Sequence, residues 1–507
     1  MAAKKNLAGK HLDIATAMAH VAEDLWDDWA RDPTQFREFR ADRAATEAEI
    51  ASIDLDEYHA VPIVAVGRSR EPFGVRPGGG WMAFRDRVIY QALADRCAEK
   101  IEQRIESQGN SVYSVRLDRG GRRFLQSGPR AWVKFQQRVR GRLATKRFKY
   151  VVKSDIAGYF HNIGHHELAN AAQEWGLSPY LCEVLEIRLL GCWSGPSGPS
   201  RGIPQQFDPS AVLANGLLLK IDQMLWSPRR EVLRYMDDYF VFCESLLEAR
   251  RVMLAFWEAA NAVHLTPSEV KSTILPVDDA EALLDADVSV LGHIDLGIEF
   301  GIKGLAVDAL IKAFDANVLL DDFNERHFRK HVNQFRKTGV DYAIDEVLHR
   351  LEAMPWAADI FALYLRRYVH RTKVRRRLLG FLRGDYGRML PWTRSHYIAA
   401  LEGHSPRLHG ECEAFLTQVG CDPNENWLVR SAAVGALARR GTEASCESVQ
   451  AGFHKSLPPP LQKALIMCAS RLPKQTANRM FKRRSGVVND EDAALRYFRE
   501  RPIQLRP

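Results

Sequence analysis

The chain has 507 residues, 46% of them apolar, which is ample for buried cores and suits roughly three structural units. A formal net charge of +8 favours polyanionic partners over acidic small substrates, and eight cysteines without a CxxC pair or a nearby Cys/His quartet exclude a zinc ribbon and a disulfide framework. The opening stretch lacks a continuous apolar core and no later run approaches the roughly 18 apolar residues of a membrane span, so no membrane association and a reducing, cytoplasmic setting are expected.

Residues 1 to about 60 place Ile14, Met18, Val21, Leu25 and Trp29 at helical spacing and predict an amphipathic helical extension. VPIVAVGRSREPFGVRPGGG follows as an apolar strand with Gly, Pro and Arg punctuation, a hairpin or loop that carries Arg68, Arg70 and Arg76. A long helix is predicted from a cap near Asp86, with Ile89, Leu93, Cys97 and Ile101 on one face. Arg116 to Arg147 is dense in basic residues, with Phe124, Trp132, Phe135 and Phe148 interleaved, and a second basic cluster spans Arg366 to Arg377. Each can be a solvated helix face or a nucleic-acid surface.

YVVKSDIAGYFHNI predicts a strand ending at Asp155, followed by a helix over HHELANAAQEW. After a helix over Leu181 to Leu190 and the loop GCWSGPSGPSRGIPQQ, a helix is expected from Ser210 to Leu225. VLRYMDDYFVF reads as two strand halves around an Asp pair, and a helix, the unit LTPSEVKSTIL and the apolar VSVLGHID complete an α+β region. Beyond about residue 305 the pattern is helical; WLVRSAAVGALARRG resembles one helix of a HEAT-like repeat, with an irregular bundle as the alternative.

RYMDDYF carries the chemistry. A hairpin tip that presents Asp237 and Asp238 concentrates negative charge, which a bound divalent cation makes tolerable. An exposed acidic turn is the plain alternative, but Asp155 upstream and GIPQQ with its Ser/Ala/Asn-bearing helix in between give three elements in one order.

In that order the sequence resembles the reverse transcriptases, over residues of about 60 to 295. SDIAGYFHNIGHHEL looks like their motif A, RGIPQQFDPSAVLANGLLLKID like motif B, RYMDDYFVF like motif C, LTPSEVKSTI like motif D and VLGHI like motif E. DRVIYQALADRC and SVYSVRLD resemble fingers elements. The resemblance implies a right-hand polymerase: an extension over 1–60, fingers over 61–150, a palm over 151–300 and a helical, thumb-replacing repeat domain over 301–507. It implies two Mg2+ ions, with Mn2+ as a substitute, held by Asp155, Ile156, Asp237 and Asp238, of which Asp155 and Asp237 bridge and Asp238 is secondary.

Phe160 matches the aromatic that would collide with a ribose 2'-hydroxyl, which implies deoxynucleotides as substrates; a core aromatic is the other reading. Gln205 matches a nucleotide-contacting position, although Gln206 stands where a glycine is usual. Lys271 matches a motif D lysine that donates a proton to pyrophosphate, or is a surface lysine. One of Arg68, Arg70 or Arg76 would clamp the triphosphate. His161, His165 and His166 read as structural, since nothing completes a zinc set. Arg116, Arg122, Arg123, Lys134, Arg138 and Arg142 would hold RNA by phosphate contacts, with the aromatics as stacking partners.

No RNase H carboxylate cluster, no cysteine-bearing endonuclease and no Val-Thr-Gly triplet is visible. The long helical tail resembles the bacterial abortive-infection and defence-associated reverse transcriptases. That implies antiphage defence, DNA synthesis on a dedicated noncoding RNA or untemplated from a protein hydroxyl, and assembly into a homo-oligomer. A nucleic-acid-binding scaffold with a vestigial site and an RNA-copying RNA polymerase are the other classes.

Overall fold

The computed structural model describes residues 5–25, 28–70, 74–109, 111–120, 123–145, 147–194, 198–226, 230–280, 284, 303–319, 323–454, 456–484, 490–501 and 503. Among them six strands form: β1 (Val64–Arg70), β2 (Gly74–Trp81), β3 (Tyr150–Ser154), β4 (Glu231–Tyr235), β5 (Asp238–Cys243) and β6 (Thr273–Pro276). β1 and β2 make a hairpin; the others make a sheet in the order β4-β5-β3-β6, antiparallel throughout. The described residues from 303 onward contain helices and no strand, so the architecture is α+β with a helical C-terminal region, as the sequence predicts. No described helix is long and apolar enough to cross a membrane.

Two compact units divide the chain. The first is Met1–Asp28, Ala44–Ile63 and Met82–Val290; the second is Trp29–Arg43, Val64–Trp81 and Leu291–Pro507. In the first, Tyr239 to Cys243 of β5 are all buried, as a strand covered on both faces must be. The helix Phe84–Ser107 buries Ile89, Leu93, Cys97 and Ile101, the predicted stripe. Its start differs from expectation. Asp86 lies inside the first turn, and its buried carboxylate accepts from the Tyr58 hydroxyl at 2.5 Å and the Val61 N–H at 2.8 Å, so it anchors a preceding segment instead of capping. The helix Asp208–Leu225 packs beside it at Gly216, where a Cβ would fall 2.8 Å from both Ile101 Cδ1 and Trp175 Cζ2; only a hydrogen fits there.

The N-terminal segment is not a separate extension. Ile14, Met18 and Val21 of the helix Ile14–Asp24 are buried, and Asp24 and Asp28 hold the fully buried Arg87 at 2.9 and 2.8 Å. Residues 29–43 then join the second unit, where Asp32 and Glu38 enclose the buried Lys463 ammonium at 2.7 and 2.5 Å. The β1-β2 hairpin also belongs there, which divides the expected 61–150 segment. The reason is burial: Ser69 bonds the Thr393 hydroxyl at 2.8 Å, and Arg68 pairs with Asp359 at 3.2 Å.

Candidate functional site

In the central sheet Ser154 pairs with Tyr239, so Asp155 follows the last rung of β3 abreast of Asp238, the first residue of β5. β4 and β5 close through Tyr235 and Asp238, which leaves Met236 and Asp237 as a two-residue turn. Asp155 and the adjacent pair Asp237 and Asp238, remote from it in sequence, therefore meet at one sheet end. Met236 has φ +50°, a left-handed conformation that costs a non-glycine residue on the order of 1 kcal/mol and persists only where neighbours enforce it. Here its N–H donates to Ser114 Oγ at 2.6 Å and its carbonyl accepts from Arg234 Nη1 at 3.2 Å.

Arg234 is fully buried behind that turn. Its guanidinium donates to Asp222 at 2.6 to 3.1 Å and to Asn215 Oδ1 at 2.6 Å, while Tyr239 donates its hydroxyl to Asp222 at 2.9 Å. Asn215 Nδ2 in turn donates to the carbonyls of Ser114 and Val115. The network ties the helix Asp208–Leu225, both strands of the hairpin and the segment at 114 into one rigid support. Burial works against the Arg234 charge, but Asp222 more than compensates, so its pKa is raised. Sequence reading missed these residues, although a signal was present: Asn215 and Asp222 lie seven apart in a largely apolar helix, hence on one face, and polar groups there require a buried partner.

Burial, and then the charges of Asp155 and Asp238, push the Asp237 carboxyl up to about 6, with Lys271 pulling the other way. Lys271 Nζ contacts both oxygens of the buried Asp155 at 3.0 Å. The site thus holds three carboxylates and one cation, a donor set with charge left for a divalent metal. Among the described residues no three His, Cys, Asp or Glu side chains form a preassembled ligand set. Lys271 engages Asp155, and Asp237 lies in the turn whereas Asp238 begins β5. Asp155 and Asp237 are the carboxylates that would hold a cation here, with Asp238 beside them.

Magnesium should therefore stabilise the fold, by about 2.7 kcal/mol at a hundredfold excess over Kd. A raised carboxyl pKa means the folded chain takes up the Asp237 proton readily, so acidification through about 6 relieves repulsion in the metal-free protein while removing the metal's contribution. Melting curves with magnesium or EDTA on either side of that pH are expected to show a metal-induced rise in Tm only on the alkaline side.

The remaining expected residues separate into groups. Ile156 is buried and bridges Pro267 next to Asp155. Phe160 is half-buried, its ring 5.6 Å from that of Tyr159; Tyr159 is the core aromatic here, its hydroxyl donating to Ala214 O. The Phe160 carbonyl accepts from Ile203 N–H at 2.9 Å, which joins it to the loop where Gln205 and Gln206 stand half-buried. His165 shares a hydrogen bond with Gly202 O and His166 pairs with Glu186, as structural residues do.

Arg68, Arg70 and Arg76 lie in the second unit, on paired strands. Arg68 is engaged by Asp359 and stacks over Trp29 and Trp392 at 5.7 and 5.1 Å; Arg70 and Arg76 are exposed. The stacking role of the basic aromatic region is also corrected. Phe124, Phe135 and Phe148 are core residues, and Trp132 packs edge-on against Tyr235 at 4.8 Å. Arg116 is committed to Glu102, and Arg138 and Arg142 share Glu231, whereas Lys134 and Arg123 are exposed. Helical amphipathicity explains this: the rings face inward and the charges outward. Arg122 and the VLGHI stretch lie outside the described residues.

Residues 76–294 match the family model described as "Reverse transcriptase (RNA-dependent DNA polymerase)". No curated protein sequence matches the chain. Among solved structures it is similar to the apo telomerase of Candida tropicalis, at 10% identity and a TM-score of 0.34 over 87% of this chain and 69% of that one. It is also similar to the telomerase of Candida albicans in complex with a telomeric RNA fragment, at 10% identity and a TM-score of 0.31 over 71% of this chain and 70% of that one.

Proposed function

We propose, from the match of residues 76–294 to the reverse transcriptase family model, that this chain is an RNA-directed DNA polymerase that adds deoxynucleotides by two-metal phosphoryl transfer at Asp155 and Asp237. The observation that carries the reading is the convergence of Asp155, Asp237 and Asp238 at one end of the antiparallel sheet. Magnesium ions bound there supply activation of the primer hydroxyl and neutralisation of the leaving pyrophosphate. Asp155 and Asp237 would hold these ions, and Asp238 would adjust the charge of the site. Lys271, held at Asp155 by its ion pair, is placed to exchange that carboxylate for a phosphate oxygen and deliver a proton to pyrophosphate. Gln205 contacts the incoming nucleotide.

Phe160 guards the sugar, and its half-exposed ring beside the 203–206 loop favours that role over a core role. Phe160→Ala is expected to raise ribonucleotide incorporation about tenfold or more relative to deoxynucleotide, since one steric contact is worth about 1 to 3 kcal/mol. Competition assays with paired dNTP and rNTP would measure it.

The wider setting we infer is bacterial antiphage defence, in the cytoplasm and as a homo-oligomer, with DNA copied from a dedicated noncoding RNA held in part by Arg123, Lys134, Arg138 and Arg142. Support comes from the helical region that follows the polymerase domain, read as a repeat domain in place of a thumb. Sequencing the nucleic acid that copurifies, with and without protease treatment, tests this. A single recurrent RNA with complementary DNA is expected. Free DNA without any RNA counterpart would sink the templated reading, and DNA recovered only after proteolysis would favour protein-primed, untemplated synthesis.

A further inference from the structure

In the second unit, a cavity of about 330 Å³ opens between the segment 29–37 and the helices Pro391–Ala400 and Trp427–Arg440. Its wall carries five guanidinium groups, from Arg31, Arg37, Arg366, Arg439 and Arg440, against two carboxylates, Glu402 and Asp32. Neither carboxylate is available to balance the surplus. Asp32 is consumed by Lys463 and by the Trp81 N–H at 2.9 Å. Glu402 is buried and shared by Arg366, Arg439 and Arg440, at 3.0 to 3.1 Å. Arg31 and Arg37 are exposed at the rim and have no carboxylate partner among the described residues.

Such an arrangement costs repulsion. Arg366 is held below its ordinary range by burial, against the pull of Glu402, with Arg439, Arg440 and Arg31 adding to the effect. His396, on the cavity wall, is pushed down to about 3, first by burial, and so presents a neutral imidazole at neutral pH. Gly435 faces the same space, where a Cβ would sit 3.2 Å from Arg439 Nη1; the missing side chain leaves the guanidinium room. Crowded guanidinium groups with forked donors match phosphate oxygens, and the volume is at the lower end of small-ligand sites, about that of one nucleotide. The indole of Trp29 borders the cavity and supplies an apolar surface for a base.

We propose that this cavity is a nucleotide-binding site separate from the carboxylate centre, in which Arg31 and Arg37 grip the phosphate of one nucleotide, either free or at the end of a strand.

Calorimetric titration of the full chain in EDTA tests this with three probes: dAMP, a 5'-phosphorylated trideoxynucleotide and inorganic phosphate. One equivalent of dAMP or trinucleotide is expected to bind, at least tenfold tighter than phosphate, and the tighter of the two identifies the source. Arg31→Gln with Arg37→Gln should weaken it tenfold or more, and so should Ala432→Trp, which fills the cavity without altering charge. Asp237→Ala should leave it unchanged. The assignment is overturned if neither nucleotide probe binds, if phosphate binds as tightly as both, or if the double variant and the filled variant, each with the wild-type Tm, retain full affinity.

Discussion

Replacement of Asp237 by Ala is expected to lower deoxynucleotide incorporation by about a thousandfold, equivalent to about 4 kcal/mol of transition-state stabilisation, the scale of a metal ligand's contribution. Asp238→Ala should cost far less, about tenfold or ~1.4 kcal/mol. The asymmetry follows from the turn. Asp237 sits at the tip with its carboxyl pushed up to about 6 by burial and by Asp155 and Asp238, so it is the group most in need of a cation. Asp238 begins β5, one residue beyond the tip, and is assigned the secondary role. Extension of a labelled primer with magnesium, at matched protein concentration, measures both. Equal losses for the two variants would show that both carboxylates bridge, and full activity in Asp237→Ala would remove the catalytic assignment altogether.

Arg234→Met should destabilise the first unit by about 3 to 5 kcal/mol, because it strands the buried Asp222 carboxylate without its cation. For a unit of this size that is a fall in Tm of roughly 10 °C. Activity should fall as well, since Arg234 holds the Met236 carbonyl and hence the strained turn that presents Asp237. A double variant, Arg234→Met with Asp222→Leu, separates the two effects. It removes both charges, so it is expected to recover much of the lost Tm while leaving incorporation low. If activity returned together with stability, the network would be a folding device with no positioning role.

The sequence exposed the chemistry better than the scaffold. Asp155, Asp237 and Asp238 were legible because their spacing and order are intrinsic to the chain, and the stripe of Ile89, Leu93, Cys97 and Ile101 because helical periodicity is local. Non-local choices were not. Nothing near Asp86 reveals that Tyr58 and Val61 will claim its carboxylate, and nothing near Arg68 reveals Asp359, which lies almost three hundred residues onward. The interleaved aromatics between Arg116 and Arg147 misled for a related reason: a basic, aromatic run reads the same whether the rings face solvent or the core, and only packing against β4 and β5 decides. Lys271 was singled out by its motif, and its contact with Asp155 depends on how β6 is brought alongside β3.

Lys463 carries a consequence for synthesis. Its ammonium is the counterion of Asp32 and Glu38, more than four hundred residues earlier. On the ribosome, the segment around these two acids emerges first and must wait, with no native cation for its carboxylates, until nearly the whole polypeptide has been made. A nascent chain halted after residue 294 would contain Asp155, Asp237 and Asp238 but leave Asp32 and Glu38 without the ammonium they enclose.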